Sequence, residues 1–248
     1  MYISETNSTN SLLREMLAKG EQVDYIRTGY QSHGRGQAGN GWESEKDKNL
    51  LCSIALSTDG VGKEQQFDLN ILVSVALHRT VSRLNISGLT IKWPNDLYCR
   101  DRKLAGILIE SALQGNKIAY AIAGIGLNVN QTEWFSGAPN PTSLALESGR
   151  EFDVEHLMQD LMDELRAVRR MSREEQRTYY KQHLYRREGF YPYVEREVST
   201  APTMNAMPAA EGQFMACIKD ITPQGEIVLQ NEKGETRSYH FKQVRYVI

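Results

Sequence analysis

Residues 91–110 read Ile-Lys-Trp-Pro-Asn-Asp-Leu-Tyr-Cys-Arg-Asp-Arg-Lys-Leu-Ala-Gly-Ile-Leu-Ile-Glu, and this stretch is the most informative part of the chain. A short apolar strand, Thr90–Trp93, stops at Pro94. Two further β-type runs, Asp96–Cys99 and Leu104–Glu110, flank a charged turn. Apolar runs on either side of a polar turn predict a β-hairpin.

Two charged residues of this stretch are candidates for chemistry. Lys92 stands at the end of an apolar strand beside a bend that Pro94 fixes, so it is suited to act as a fixed cation for a phosphate. The alternative is a surface turn in which Lys92 pairs with Asp96, and the composition does not decide between them. Lys103 begins an apolar strand in which Gly106 permits close backbone approach, although a plain hairpin strand has the same pattern.

A glycine-rich stretch lies upstream, between predicted strands over Val23–Gln31 and Asn49–Ser57. Residues 33–42, His-Gly-Arg-Gly-Gln-Ala-Gly-Asn-Gly-Trp, contain four glycines that let backbone N–H groups approach an anion, and Arg35 adds a guanidinium. The spacing matches neither a Walker loop nor a dinucleotide fingerprint. A flexible glycine hinge is the alternative interpretation.

The rest of the chain combines helices, strands and a distinct tail. Helical spacing and capping residues predict helices that begin at Ser8 or Thr9, span Phe67–Leu84, follow Asp153, and follow the Ser172/Glu175 capping box. A strand is predicted over Lys117–Val129, and the amide residues Asn128 and Asn130 stand at alternate positions at its end. Their side chains would point to one face and could hydrogen-bond a polar ligand. After about Gly189, short β-type runs alternate with turns, a pattern that fits a small all-β barrel. We therefore divide the chain into residues 1–188 and 189–248.

Composition excludes several classes of protein. The 248 residues are 40% hydrophobic and carry a formal net charge of −2, which favours a packed core and argues against binding of duplex DNA through its phosphates. Three widely spaced cysteines, Cys52, Cys99 and Cys217, argue against a disulfide framework and a zinc site. No secretory signal or bilayer-spanning stretch is visible, so we expect a cytoplasmic protein.

The order and spacing of these motifs resemble the biotin–protein ligases, also called biotin–[acetyl-CoA-carboxylase] ligases. The matching stretches are Glu5–Asn10, Tyr30-Gln31 leading to Gly34–Gly36, Lys92–Tyr98, Lys103–Glu110, Gly126–Asn128 and Pro141–Leu144. The resemblance implies an α+β fold: a mixed sheet with flanking helices, of the class II synthetase-like biotin–lipoate ligase type, plus a small C-terminal SH3-like β-barrel. Because the first motif lies close to Met1, it also implies a form without the N-terminal DNA-binding domain of some bacterial members.

The resemblance further implies a two-step reaction. Biotin and ATP give biotinyl-5′-adenylate and pyrophosphate, and biotin then passes to one lysine of a biotin carboxyl carrier protein domain. The implied metal is Mg²⁺, and the implied partner is the carrier domain of a biotin-dependent carboxylase, with no DNA, no membrane, and a monomer or homodimer. Since neither reactant of the first step needs a protein nucleophile, catalysis should come from positioning and cations.

By the same resemblance, site residues are assigned one by one. The predicted catalytic residues are Lys92, Arg35, Lys103 and Asp96, with Asp96 orienting the incoming lysine or accepting its proton. The predicted biotin-binding residues are Ser8, Thr9, Asn10, Gln31, Gly34, Arg35, Gly36, Gln37, Lys92 and Gly106. The predicted nucleotide-binding residues are Trp42, Asn95, Lys103, Gly126, Asn128 and Asn130, with Trp42 stacking on adenine. No residue is predicted as a metal ligand.

The glycine-rich loop carries two further expectations. Residues 32–48 are the expected lid, mobile in the free protein, because a mixed anhydride hydrolyses unless water is excluded. Many members of the family have a second arginine where this chain has Gln37, which keeps a hydrogen-bond donor but loses a charge. We expect Gln37 to contact biotin or the phosphate, and the departure bears on how tightly the intermediate is retained.

Two other functions remain open from the sequence. A lipoate–protein ligase or octanoyltransferase would share the catalytic fold but would need a long apolar tunnel. The polar residues Ser8, Thr9, Asn10 and Gln31 instead favour the ureido ring of biotin. A non-catalytic nucleotide-binding protein would bind its ligand tightly and form neither AMP nor pyrophosphate.

Overall fold

A computed structural model of the chain describes residues 1–115, 117–137, 139–196 and 212–248. Part of the predicted tail, residues 197–211, therefore lies outside the described residues. The helices are α1 (Thr9–Ala18), α2 (Gln66–Ser82), α3 (Leu144–Ser148), α4 (Val154–Arg169) and α5 (Arg173–Gln182). None of these helices has the length and apolar character needed to span a membrane.

The first sheet has seven strands and mixed direction. Its strands are β1 (Tyr2–Thr6), β2 (Tyr25–Gln31), β3 (Leu50–Leu56), β4 (Leu89–Lys92), β5 (Asp96–Cys99), β6 (Arg102–Gln114) and β7 (Lys117–Leu127). They lie in the order β1-β2-β3-β7-β6-β5-β4. Only β1 and β2 are parallel among these pairs, and the predicted hairpin is the β5–β6 pair. The predicted mixed sheet with flanking helices is confirmed.

The second sheet has five antiparallel strands. They are β8 (Tyr191–Glu195), β9 (Gln213–Ile221), β10 (Ile227–Asn231), β11 (Thr236–Tyr239) and β12 (Val244–Tyr246), in the order β11-β10-β9-β8-β12. The sheet is consistent with the predicted SH3-like domain, although its strands do not close into a barrel within the described residues. The edge strands β11 and β12 have only four and three residues, which is too little ladder for closure.

Both faces of the first sheet are covered. Ala121 and Ala123 of β7 belong to the main core with α2 and α4, whereas Ile122 joins Leu13 of α1 and Ile26 of β2 in a smaller cluster. Because successive side chains of a strand point to opposite faces, α1 packs on one face and α2 and α4 on the other. This packing fixes the start of α1, which carries the polar residues Ser8, Thr9 and Asn10 that follow Asn7.

The second sheet docks on the segment that follows β4. The indole Nε1 of Trp93 donates to the Gly225 carbonyl oxygen at 2.9 Å, and the ring of Phe67 lies so close to Gly225 that a Cβ there would meet it at 2.4 Å. Arg177 of α5 pairs with Asp68 of α2 at 2.6 Å beside this contact. The second sheet is therefore fixed next to Lys92.

The helix caps follow the sequence prediction. Asp153 accepts a hydrogen bond from the His156 N–H at the start of α4, and Ser172 and Glu175 form the capping box of α5. The strands β1 and β8 and the short helix α3 were not predicted. The boundary between residues 1–188 and 189–248 stays a prediction, and the first strand of the second sheet begins at Tyr191.

A buried histidine makes the stability of this fold depend on pH. His78 of α2 lies under α5, with its Nδ1 atom 2.9 Å from the Tyr179 hydroxyl and its ring 4.6 Å from that of His183. Burial, followed by the nearby His183, lowers the pKa of His78 from 6.5 to about 4. The folded protein therefore holds this ring neutral where the unfolded chain would protonate it.

We expect the free energy of unfolding to fall as the pH drops from about 6.5 towards 4. The unfolded state binds more protons in this window, and the shift of the His78 pKa corresponds to at most about 3 kcal/mol. Urea unfolding at a series of pH values measures the effect. His78→Gln should flatten the profile relative to the exposed His156→Gln control, and an unchanged slope in His78→Gln would contradict the prediction.

Candidate functional site

A cavity of about 290 Å³ lies where the first sheet meets the second, near the lower end of the range for small-molecule sites. Predicted site residues from four separate stretches of the chain line it: Ser8, Thr9, Asn10, Gln31, Arg35, Gly36, Gln37, Trp42, Lys92, Asn95, Asp96, Lys103, Gly106 and Gly126. Lys92 and Arg35, the two cations on which the sequence prediction depended most, thus share one cavity.

Lys92 is held between two tyrosine rings. Its Nζ atom lies 4.9 Å from the ring centre of Tyr98 on β5 and 4.8 Å from that of Tyr246 on β12. Burial lowers the pKa of Lys92, nearby Asp96 raises it, and Lys103 and Arg186 lower it. The ring faces carry negative partial charge and stabilise the cation without neutralising it. The two rings therefore favour the charged ammonium, which is the form that binds an anionic ligand.

Two of the other lining cations, Lys103 and Arg35, each have a carboxylate partner. Lys103 pairs with Asp96 at 2.8 Å, and Arg35 pairs with Glu110 at 3.1 Å. The Lys103 Nζ atom also lies 5.7 Å from the ring of Trp42. Asp96 is thus near Lys92 but bonds Lys103, so the surface turn with a Lys92–Asp96 pair is not what the chain forms. In each pair the carboxylate offsets part of the positive charge of its partner.

The glycine-rich loop folds back on itself beside the cavity. The Gly36 N–H donates to the Asn40 carbonyl oxygen at 2.7 Å, and the Trp42 N–H donates to the Gly34 carbonyl oxygen at 2.9 Å. These bonds surround a single turn of 3₁₀-helix over Gln37–Gly39. The loop therefore has a definite fold of its own, and its predicted mobility stays a prediction.

The Trp42 ring packs directly on the sheet. A Cβ atom at Gly126 would lie 2.4 Å from Trp42 Cε2, and one at Gly106 would lie 3.0 Å from Trp42 Cζ3. Only glycine allows the ring to approach these strands so closely. Two lining atoms, Trp42 Nε1 and Gln37 Oε1, are buried without a hydrogen-bond partner among the described residues. Such groups are rare in folded proteins and fit a site that binds a polar ligand.

A connected set of polar side chains lines the cavity near the start of α1. Gln31 Oε1 accepts from the Thr9 N–H at 2.8 Å and from the Thr9 hydroxyl at 3.1 Å. Ser53 Oγ lies 2.7 Å from Thr9 Oγ1 and 2.5 Å from Asn10 Oδ1, and Asn10 Nδ2 donates to Glu110 at 2.7 Å. This wall offers hydroxyl and amide groups, which both donate and accept.

Three predicted residues do not line the cavity. Gly34 belongs to the loop but not to the lining. The amide of Asn128 donates to the Thr142 carbonyl oxygen, and that of Asn130 bonds the backbone of Phe152 through both its nitrogen and its oxygen. The prediction assumed a strand to Val129, but β7 ends at Leu127, so strand alternation does not direct these amides. Asn95, which does line the cavity, donates to the Ile107 carbonyl oxygen.

Sequence reasoning missed several residues of the site. Ser53 and Glu110 lie in predicted strands, Ser53 fully buried and Glu110 partly exposed, and only their partners give them a role. Tyr246 lines the cavity from the second sheet together with Phe241 and Val244. No spacing in the sequence connects these residues to Lys92, since the contact arises from docking of two sheets.

The chemistry of the lining limits other mechanisms. Burial raises the pKa of Cys52 to about 12, so its thiol stays protonated and is a poor nucleophile at neutral pH. The described residues contain no cluster of three or more His, Cys, Asp or Glu side chains that would hold a metal ion. The predicted Mg²⁺ therefore finds no protein cage among the described residues.

Comparison with known proteins agrees with this geometry. The sequence profile of the biotin/lipoate A/B protein ligase family matches residues 2–128, which hold every predicted site residue except Asn130. The chain belongs to this family. The predicted membership is thereby confirmed, and the cavity described above lies in the family's ligase domain and the sheet docked on it.

Two curated relatives of this ligase-family chain are similar in sequence. The bifunctional ligase/repressor BirA of Escherichia coli (strain K12) is 26% identical over 230 residues, which are 91% of this chain and 67% of the relative. The biotin--[acetyl-CoA-carboxylase] ligase of Mycobacterium tuberculosis is 31% identical over 134 residues, 52% of this chain and 48% of the relative. The chain thus spans about half to two thirds of these relatives.

A solved structure shares the fold over the whole chain. The biotin protein ligase from Aquifex aeolicus in complex with biotin and ATP superimposes with a TM-score of 0.75, at 19% identity. The match covers 100% of this chain and 98% of the other. The second sheet as well as the first therefore belongs to the shared fold.

Proposed function

We propose that the chain is a biotin–protein ligase, which activates biotin with ATP and transfers it to a lysine of a biotin carboxyl carrier protein domain. The observation that carries this proposal is the shared cavity of Lys92, Arg35 and Lys103 beside a wall of neutral polar groups. A carboxylate and a triphosphate need cations, and a neutral ureido ring needs donors and acceptors. The names of the relatives and the ligands of the Aquifex structure support the same substrates.

In the first step, a carboxylate oxygen of biotin attacks the α-phosphorus of ATP. A carbon–oxygen–phosphorus anhydride forms, and the bond from the α-phosphorus to the bridging oxygen breaks, so the electron pair leaves with pyrophosphate. Lys92 lies in the cavity with its charge unpaired by any carboxylate at bonding distance in the described residues, and it holds the carboxylate and α-phosphate together. Catalysis here is positioning by fixed charge.

In the second step, the amine of the acceptor lysine attacks the carbonyl carbon of the adenylate. An amide bond forms, AMP leaves, and the amine loses a proton. Asp96 is the candidate to orient this amine, although its 2.8 Å pair with Lys103 must then open or be shared. Lys103 stabilises the phosphate side of the same anhydride.

The polar wall distinguishes biotin from lipoate. Thr9, Asn10 and Gln31 form a hydrogen-bonded wall, which an apolar dithiolane would leave without partners. We expect ATP–pyrophosphate exchange to depend on biotin and not on lipoate or octanoate. Intact mass of a biotin carboxyl carrier domain, after incubation with biotin and Mg-ATP, should rise by one biotinyl group.

The same assay separates the alternatives. Exchange with lipoate but not biotin would indicate a lipoate ligase, and tight ligand binding without AMP or pyrophosphate would indicate a non-catalytic nucleotide-binding protein. Omission of Mg²⁺ tests the predicted metal, which we assign to the phosphates of the nucleotide. We place the reaction in the cytoplasm, and a monomer or homodimer remains the prediction for the oligomeric state.

A further inference from the structure

The arginine of the glycine-rich loop is bound by a carboxylate of the central sheet. Arg35 Nη1 donates to Glu110 Oε1 and Arg35 Nη2 to Glu110 Oε2, each at 3.1 Å, while Nη2 also donates to Ser11 Oγ at 3.1 Å. Two parallel N–H···O bonds of this kind are the geometry in which a guanidinium binds a carboxylate most specifically. Three of the five N–H donors of the Arg35 guanidinium are therefore engaged by Glu110 and Ser11.

Glu110 connects this arginine to the polar wall. Its Oε2 atom accepts from Asn10 at 2.7 Å, and Asn10 in turn lies 2.5 Å from Ser53 Oγ through its own oxygen. The side chain of Glu110 is 26% exposed, so the carboxylate is partly shielded from water by these partners. A single side chain thus joins the loop to the wall expected to hold the ureido ring.

The pair spans two parts of very different rigidity. Glu110 lies in β6, which pairs along its length with β5 and β7. Arg35 lies in a loop in which backbone hydrogen bonds join Gly36 to Asn40 and Trp42 to Gly34. The Trp42 ring packs on the sheet at one end of this loop, and the Arg35–Glu110 pair adds a charged, hydrogen-bonded contact to the sheet at the other end.

We propose that Glu110 is a positioning residue: through its bidentate pair with Arg35 it holds loop 34–42 closed over the cavity, and this closure retains the biotinyl-adenylate. Arg35 then acts through Glu110, rather than as a direct ligand of the carboxylate and phosphates as the sequence predicts. The role in retention rests on the proposed function. The closure of the loop itself does not.

A double-mutant cycle tests the proposal. We expect Arg35→Ala, Glu110→Ala and the double variant each to release preloaded biotinyl-adenylate about tenfold faster than the parent, because all three remove the same contact. Glu110→Gln, which keeps the shape and a hydrogen-bonding oxygen for Asn10, should release it faster as well. The swapped pair Arg35→Glu/Glu110→Arg should restore part of the slow release.

The matched control is a second arginine–glutamate pair away from the cavity. Arg27 and Glu155 pair between β2 and α4 and do not line the cavity, so Arg27→Ala and Glu155→Ala should leave release unchanged. Release that is unchanged in Glu110→Gln and Glu110→Ala, or effects of Arg35→Ala and Glu110→Ala that multiply in the double variant, would overturn the proposal. Multiplied effects would instead favour Arg35 as an independent ligand of the phosphates.

Hydrogen exchange without ligand keeps the proposal separate from the proposed function. Amides of residues 34–42 should exchange faster in both Arg35→Ala and Glu110→Ala than in the parent, while the amides of α4 should not change. Equal exchange in the parent and both variants would refute the proposal that the Arg35–Glu110 pair holds loop 34–42 closed, whether or not the protein makes an adenylate. A parent that lacks biotin-dependent pyrophosphate exchange would refute the function and leave this measurement intact.

Discussion

The Lys92→Ala variant is expected to lose biotin-dependent pyrophosphate exchange by on the order of 10²-fold or more, by analogy with removal of a single charge-stabilising donor elsewhere. Lys92 faces the cavity between the rings of Tyr98 and Tyr246, and Lys103 and Arg35 are both engaged by carboxylates. Lys92 is thus a lining cation seated between two aromatic rings, so the loss should fall mainly on the rate of adenylation rather than on biotin binding.

Controls for this variant separate charge from structure. Lys233→Ala, on the exposed turn before β11, should exchange pyrophosphate normally. Because burial lowers the pKa of Lys92, the charged form is lost at lower pH than for a free lysine, and the adenylation rate should decline earlier on the alkaline side. Normal exchange in Lys92→Ala would remove this residue from its assigned role.

The Trp93→Ala variant is expected to lower the free energy of unfolding by about 3–5 kcal/mol. The indole is 3% exposed and packs in the main core, and its Nε1 atom donates to Gly225 of the second sheet. Removing the indole leaves a large void between the two sheets. It also removes the hydrogen bond to Gly225 that helps to hold the second sheet, and with it Tyr246, next to Lys92. Both stability and pyrophosphate exchange should therefore fall.

A conservative substitution separates the loss of the hydrogen bond to Gly225 from the loss of packed volume. Trp93→Phe keeps most of the apolar volume and loses the hydrogen bond to Gly225, so it should cost about 1 kcal/mol. Urea unfolding gives the stability, and limited proteolysis of the second sheet reports whether it has detached. A Trp93→Ala protein that unfolds at the same urea concentration as the parent would show that the joint is held elsewhere.

The parts of the fold that depend on local pattern were predictable. The caps at Asp153 and Ser172 and the β5–β6 hairpin follow from residue types within a few positions of each other. The strand β1 was missed because Tyr2–Thr6 has no apolar run, since it is a half-exposed edge strand that pairs with β2. The strand β8 was missed because Pro192 argues against a strand, although this position is tolerated here.

The residues of the site were likewise predictable where they stand in local motifs and not where they depend on long-range contacts. Lys92, Arg35 and Trp42 were found because they stand in distinctive local motifs, and the cavity collects them. Glu110 lies 75 positions from Arg35 in the sequence. Its role depends on its contact with Arg35, and no local sequence pattern predicts that contact. Asn130 fits a motif but bonds Phe152, because β7 ends before it. Long-range pairing is thus the part that sequence reasoning did not reach.

One wall of the cavity comes from the last strand of the second sheet. The ribosome delivers the seven-stranded sheet first, and domains generally fold in that order during synthesis. Until β12 emerges and docks, Lys92 lacks the ring of Tyr246 and faces water on that side. A nascent chain therefore holds most of the cavity-lining groups early, but the cavity is complete only after β12 has been synthesised and has docked.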